Sequence, residues 1–332
     1  MPMSSTTPAP GSNNDKQPVL ATVLPCYREV DHVLAVLDAI GPEVRHIFVI
    51  DDACPDGTGR HVRDHCKDDR VNVVVHERNL GVGGTTLSGY REAIEAGADI
   101  IVKLDGDGQM NPQLIPALIA PIARGEADYA KGNRFHDLDG LKGMPATRIF
   151  GNLVLSFLSK MSSGYWNLFD PTNGFTAIHA KVAQRLPMER ISNRYFFESD
   201  MLFRLNLLGA VVADVPMEAR YGAEKSGLRI HRAILEFSVK HWLNAVKRIF
   251  YSYFLRDFGA ASVELLLGMV LVVFGAVFGA LEWYESTTSG VPATAGTVIL
   301  AALPIILGTQ FLVAFLNFDT RNVPKTPLHP RL

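Results

Sequence analysis

The sequence predicts an α/β domain with a mostly parallel sheet and flanking helices, followed by an amphipathic juxtamembrane helix and two transmembrane helices. Three observations carry that expectation. Short β-rich runs near 19–25, 46–51, 71–76 and 99–104 alternate with helical patterns near 30–40, 58–67 and 83–96, the rhythm of βαβ units. Polar residues of this region collect where the strands end, and ligands of open parallel sheets bind at the carboxyl ends of strands. Two apolar stretches, Leu265 to Leu281 and Ala295 to Phe315, close the chain.

Each apolar stretch, with its flanks, reaches the roughly 20 residues that a helix needs to cross a hydrocarbon core. Between them, Glu282 to Pro292 carries turn formers and the aromatics Trp283 and Tyr284, and reads as a short loop between antiparallel spans. No Lys or Arg occurs between Arg256 and Arg321, whereas basic residues crowd both flanks, so the positive-inside rule puts the large domain and the C-terminus on the cytoplasmic side. The organisation expected is a disordered tail over 1–17, a catalytic-type domain over 18–228, an amphipathic juxtamembrane segment over 229–257, a transmembrane hairpin over 258–318 and a cytoplasmic tail over 319–332. The tail lacks the apolar core of a signal peptide, which leaves insertion to the C-terminal spans.

Composition narrows the function classes. A formal net charge of −2 over 332 residues argues against a nucleic-acid binder. Cys26, Cys54 and Cys66 form no CxxC pair and are odd in number, which fits structural thiols in a reducing compartment. The run Gly81-Val82-Gly83-Gly84 lacks the Lys-Ser/Thr of a P-loop and reads as a tight turn. From about 127 the pattern becomes irregular, with a strand over 128–132 and helices around 147–161 and 198–208. In 229–256, Ile230, Ile234, Phe237, Val246, Ile249, Tyr253 and Phe254 recur at helical spacing, opposite Glu236, Lys240, Asn244 and Lys247. Such a helix suits the headgroup plane of a membrane.

The chemistry is expected at the strand ends. Asp105-x-Asp107, with Gln109 two residues on, places hard oxygen donors in a loop, as Mg²⁺ or Mn²⁺ require when a substrate diphosphate completes the coordination. In order along the chain stand Pro25-x-Tyr27-x-Glu29, Val49-Ile50-Asp51-Asp52 with Asp56 and Thr58, Asn79-x-Gly81, and Asp105-Gly106-Asp107-x-Gln109-x-x-Pro112. This series resembles family 2 glycosyltransferases of the Rossmann-like GT-A fold. Together with Lys131-Gly132-Asn133-Arg134, Arg148, Asp170-x3-Gly174-Phe175, Phe197-Glu198-x-Asp200 and the terminal spans, it is similar to the polyprenyl-phosphate, dolichyl-phosphate-type hexose synthases over nearly all of 19–318.

The resemblance implies that Pro25, Tyr27, Glu29, Val49 and Asp51 hold the nucleotide of a nucleotide sugar of UDP-glucose or GDP-mannose type, and that Asp105, Gly106, Asp107 and Gln109 form the metal and diphosphate site. It assigns Arg134, Arg148, Arg220 and Lys225 to phosphate contacts, and gives Asp200 a positioning role in catalysis. The implied partners are a nucleotide sugar, a polyprenyl phosphate and the membrane, in an integral protein of the bacterial inner membrane. The resemblance also implies a homo-oligomer, such as a tetramer, while the spacing of Gly268, Gly275 and Gly279 offers a flat face on the first span for close packing of a helix from another copy or of the second span of the same chain. Other readings are a transferase acting on a carbohydrate acceptor and a non-catalytic nucleotide-sugar binder. Arg28, where Asn is common, and the order Gly222-Ala-Glu-Lys225-Ser226 depart from the mannosyl pattern and leave the sugar open.

Overall fold

The computed structural model describes residues 17–134, 146–171, 173–217 and 230–332. The expected tail up to residue 16 and the loop carrying Arg220 and Lys225 lie outside them. Seven strands form one sheet: β1 (Leu20–Cys26), β2 (Val44–Asp51), β3 (Val71–Val75), β4 (Ile100–Lys103), β5 (Tyr129–Asn133), β6 (Thr176–His179) and β7 (Val212–Pro216), in the order β3-β2-β1-β4-β6-β5-β7. β1 to β4 are mutually parallel, β6 is antiparallel to both β4 and β5, and β7 runs parallel to β5. The chain moves outward from β1 through β2 to β3, then returns to the other side of β1 at β4. That reversal opens a crevice at the carboxyl ends of β1 and β4.

Every residue of β1 except Pro25 is buried, because helices cover both faces of the sheet. On one face Val23, Ile50 and Ile101 pack with Leu87 and Tyr90 of α3 (Gly81–Glu95) and Phe197 and Met201 of α7 (Phe197–Leu208). On the other, Leu24, Val49 and Val102 pack with α1 (Val33–Asp38), α2 (Thr58–His65) and α4 (Ile115–Ala123). Gly89 lets α3 approach β1 closely, since a Cβ there would stand 2.2 Å from Val23 Cγ1. Helix α4 and strands β6 and β7 were not singled out from sequence. Pro116 and Pro121 interrupt the wholly apolar run of α4, and β6 is only four residues long.

After α5 (Ala146–Ser163), a short α6 (Ala180–Ala183) and α7, helix α8 (Ile230–Phe250) turns several polar residues inward, Asn244 of the expected polar face among them, while Glu236 and Lys247 of that face are exposed. His241, Asn244 and Arg248 are buried, while Trp242, Leu243, Val246 and Phe250 are exposed. Asn244 Nδ2 donates to Asp200 Oδ1 at 3.1 Å and His241 Nδ1 lies 2.8 Å from Ser162 Oγ, whereas His241 Nε2 is buried without a hydrogen-bond partner. A π-helical turn over Tyr251–Arg256 leads to α9 (Ala260–Ser289), and α10 (Ala295–Arg321) returns. At about 45 and 40 Å, both exceed the hydrocarbon thickness of a bilayer. Their apolar side chains are largely exposed, so they are not core helices of the soluble domain.

The loop between the spans is shorter than expected. Helix α9 continues through Glu282 to Ser289, its Ser and Thr hydroxyls bonding to carbonyls one turn back, and it stops where Gly290 adopts a left-handed φ of 70°. The glycine face of α9 is occupied within the chain: a Cβ on Gly275 would stand 2.6 Å from Ala301 O, and one on Gly268 2.9 Å from Leu312. Of the two partners the sequence left open for this face, the second span is the one it packs against. The segment 319–332, expected as a cytoplasmic tail, is held against the domain. Residues 319–321 belong to α10, and the backbone N–H groups of Leu328 and His329 donate to the fully buried Asp128, as does Val211 N at 2.8 Å.

The end of α10 is fastened by Asp319. Its carboxylate accepts from Arg248 Nη1 and Nη2 at 2.6 and 2.9 Å, from Tyr253 Oη at 2.6 Å and from Trp166 Nε1 at 2.9 Å. Replacing Asp319 by Ala leaves the Arg248 guanidinium buried without its counter-charge, an effect of about 3–5 kcal/mol. A strongly lowered melting temperature in detergent is expected, and an unchanged one would contradict this role.

Burial also pushes His241 down to a pKa of about 4. Between that value and the ordinary 6.5 the unfolded chain binds a proton that the folded chain refuses, so stability falls as pH drops through this window, by up to about 1.4 kcal/mol per unit. His241→Gln should flatten the melting temperature between pH 6.5 and 4.5 relative to wild type. Parallel profiles for the two proteins would refute the assignment.

Candidate active site

The crevice at the strand ends is built largely by backbone conformation. At the end of β1, Tyr27 is exposed and Arg28 takes a left-handed φ of 66°. Ala53, just past β2, has a φ of 53°, and these two are the non-glycine residues with positive φ among those described. Such strain persists only where surroundings enforce it, and it gathers at ligand sites. Here Cys54 Sγ receives Arg28 N at 3.1 Å, Thr58 Oγ1 receives Glu29 N at 3.3 Å, and the Arg28 side chain lies 3.8 Å from Asp56 and over the Tyr27 ring.

Asp51 and Asp52 hold loops in place. Asp51 Oδ1 accepts Cys54 N at 2.7 Å and Oδ2 accepts Gly59 N at 2.6 Å, so its buried carboxylate ties the turn after β2 to the first turn of α2. Asp52 accepts Leu80 N and Gly81 N at 2.8 Å each and contacts His76 Nδ1 at 2.9 Å. The glycine run, expected as a tight turn, instead forms the first turn of α3: Gly83 N and Gly84 N donate to Asn193 O, and a Cβ on Gly83 would stand 2.3 Å from Ser192 O. Those amides are already bonded. The side chains of Val49 and Cys26 are buried beneath the strand ends, and Pro25, the residue before Cys26, is partly covered.

The Asp105-Gly106-Asp107 loop leaves β4 at the centre of the crevice. Gly106 lies close to β1 there, since a Cβ would come 3.0 Å from Cys26 Sγ. Asp107 Oδ1 accepts Gln109 N at 2.9 Å, closing the turn. Asp105 Oδ1 accepts from Lys103 Nζ at 2.8 Å, and that ammonium also reaches Gly174 O at 3.2 Å and Glu198 Oε1 at 3.5 Å. Burial works against a charge on Lys103, but Asp105 and Glu198 outweigh it and hold its pKa above the ordinary lysine value. Gly174 is fitted to the same spot: a Cβ would stand 2.6 Å from Asp105 Oδ2 and from Lys103 Nζ.

Beside this lies a second buried lysine. Lys131 Nζ donates to Asn173 O, and burial pushes its pKa down to about 8. Arg134, at the end of β5, places Nε and Nη2 at 2.8 and 3.1 Å from the two oxygens of Asp170, a bidentate fork on a buried carboxylate. Arg148 lies on α5, its side chain outside the described residues.

The structure brings Asp105 together with Glu198, and turns Asp200 elsewhere. Two positions apart on α7, the carboxylates face different sides of the helix. Asp200 accepts Ser192 N at 2.9 Å, Asn244 Nδ2 at 3.1 Å and Arg204 Nε at 3.4 Å, so it braces α7 against α8. Lys103 was missed from sequence. Its signal was present, a lysine closing the otherwise apolar run Ile100-Ile101-Val102.

Among the described residues no group of three or more His, Cys, Asp or Glu is arranged to hold a metal. The donor set nevertheless fits a hard divalent cation that arrives with phosphate ligands. Asp105 and Asp107 offer carboxylate oxygens two residues apart in one loop, and the bare Cα of Gly174 leaves Asp105 Oδ2 uncovered by a side chain.

Residues 22–186 match the family described as glycosyl transferase family 2. A UDP-N-acetylglucosamine–dolichyl-phosphate N-acetylglucosaminyltransferase of Methanococcus voltae is 28% identical over 239 residues, a match covering 68% of this chain and 94% of that protein. An undecaprenyl-phosphate mannosyltransferase of Micrococcus luteus is 29% identical over 229 residues, covering 67% and 92%. In three dimensions the chain is similar to glucosyl-3-phosphoglycerate synthase of Mycobacterium tuberculosis, solved with Mn²⁺ and UDP, with a TM-score of 0.53 and 19% identity over 74% of this chain and 88% of that one. The matched family, the relatives and the seven-stranded sheet with its strand-end crevice agree: this chain carries a glycosyl transferase family 2 domain over residues 22–186 and is a glycosyltransferase of the GT-A fold.

Proposed function

We propose that this enzyme transfers one hexose from a nucleotide sugar to a polyprenyl phosphate at the cytoplasmic face of the membrane, inverting the anomeric carbon. The observation that carries this reading is the fastening of a glycosyltransferase domain, through Asp319, to two helices of span length, which supports a soluble donor meeting a lipid acceptor. The relatives named for dolichyl and undecaprenyl phosphate support it.

A phosphate monoester is largely a dianion at neutral pH, so the acceptor needs no general base. An acceptor oxygen attacks the anomeric carbon as its bond to the nucleoside diphosphate breaks. The protein must hold two anions against each other, and Arg134, Arg148, Arg220 and Lys225 are the cations assigned to that task. Tyr27, Glu29 and the loop braced by Asp51 would shape the nucleotide pocket. Asp105 and Asp107, with Gln109, would hold Mg²⁺ or Mn²⁺, which neutralises charge on the departing diphosphate when bound. The exposed apolar side of α8, continuous with the spans, would lie in the headgroup region.

The direct test is incubation of the purified protein with a panel of nucleotide sugars, Mn²⁺ and undecaprenyl phosphate, with the lipid product identified by mass. A glycosylated lipid phosphate is expected. Transfer only to a carbohydrate or to water would overturn the acceptor assignment.

Asp107→Ala should lower turnover by at least about a hundredfold while leaving the melting temperature close to wild type, because Asp107 stands in a partly exposed strand-end loop and not in the core. Full turnover at saturating Mn²⁺ would remove Asp107 from the metal site. Arg148→Ala should raise the acceptor KM roughly ten- to a hundredfold and spare nucleotide affinity, the effect of losing one charge-assisted contact. An equal loss in nucleotide binding would place Arg148 on the donor instead.

A further inference from the structure

Lys103 sits where the strand pattern calls for an apolar residue. It pairs with Val23 of β1 and Thr176 of β6 at the centre of the sheet, and its side chain is 1% exposed. An isolated buried ammonium is strongly disfavoured, so its position requires compensation. Its three N–H donors have three acceptors, Asp105 Oδ1, Gly174 O and Glu198 Oε1, each from a different segment of the crevice. One amine thus joins the DxD loop, the entry to β6 and the first turn of α7.

Resting on the metal-dependent reading above, we propose that Lys103 is a positioning residue that tunes the DxD site to take its divalent cation together with a nucleoside diphosphate and not as the free ion. Two features carry this. By engaging Oδ1 of Asp105, the ammonium reserves one carboxylate oxygen and leaves Oδ2, above the bare Cα of Gly174, to act as a single-oxygen ligand. Its charge also offsets Asp105 and Glu198, so the local field that would attract a bare cation is weakened until a diphosphate adds negative charge. Lysine is suited to this as a compact point charge, and burial denies it the rotameric freedom to withdraw.

The test measures Mn²⁺ binding to the full-length protein in detergent by electron paramagnetic resonance, first with Mn²⁺ alone and then with Mn²⁺ plus UDP or GDP. Lys103→Met removes the charge while keeping the length of the chain. Free Mn²⁺ should bind this variant at least about tenfold more tightly than wild type, while kcat falls, because the carboxylate has lost its support. A purely structural lysine would weaken both properties together, so unchanged or weaker binding of free Mn²⁺ overturns the proposal. Lys103→Arg, which restores the charge, should return free-ion affinity toward wild type.

If Lys103→Met does not fold, Glu198→Gln decides. Removing that negative charge while Lys103 stays should weaken free-ion binding several-fold, and unchanged binding overturns the proposal. Wild type that binds Mn²⁺ with UDP or GDP while the variants show no change means that only this inference fails. Wild type that binds Mn²⁺ under neither condition removes the metal reading itself, and this inference with it.

Discussion

The carboxylate of Asp319 is the point at which the membrane-length hairpin and the soluble domain become one object. It is the last-turn residue of a long apolar helix, yet it is buried and accepts from the Arg248 guanidinium, the Tyr253 hydroxyl and the Trp166 indole. Those donors come from α8, the π-helical turn and the segment after α5. A buried ion pair contributes little net stability against a well-packed apolar alternative, but it tolerates only one geometry. Here that geometry sets how the crevice stands relative to the spans. Asp128 makes a second attachment, holding the chain after α10 against the start of β5.

The same economy governs α8. A helix with apolar residues outward and His241, Asn244 and Arg248 inward reverses the usual soluble pattern, and is stable only because each inward residue meets a hydrogen-bond partner. The inward contacts reach Asp200, which links α8 to α7, while Glu198 on that same α7 faces the DxD loop. The helix bordering the apolar surface is therefore joined, through two residues of one turn, to the helix bordering the chemistry.

Within the crevice, several residues that a motif would assign to ligand contact are engaged in shaping the backbone. Asp51 and Asp52 satisfy amides at the starts of α2 and α3, and Arg134 forks onto Asp170. Strained conformations at Arg28 and Ala53 are the counterpart of that bracing, since left-handed backbone at non-glycine positions costs energy that neighbouring contacts must offset. A loop fixed this firmly keeps its donors and acceptors where a nucleotide can use them without reorganisation.

The sequence by itself determined the α/β rhythm, the strand ends that carry Asp51, Asp105 and Asp107, the two apolar helices and the family resemblance. These are local properties: periodicity, turn chemistry and short motifs survive in a one-dimensional reading. Only the tertiary structure decided that Lys103 and Glu198 share the Asp105 carboxylate, that Asp200 points to α8, and that the glycines of the first span are filled by the second. It also decided that the chain beyond α10 docks on Asp128. The physical reason is that each depends on which side chain meets which across many residues of separation. A lysine ending an apolar strand looks like a misplaced charge until the fold brings acceptors from three segments around it.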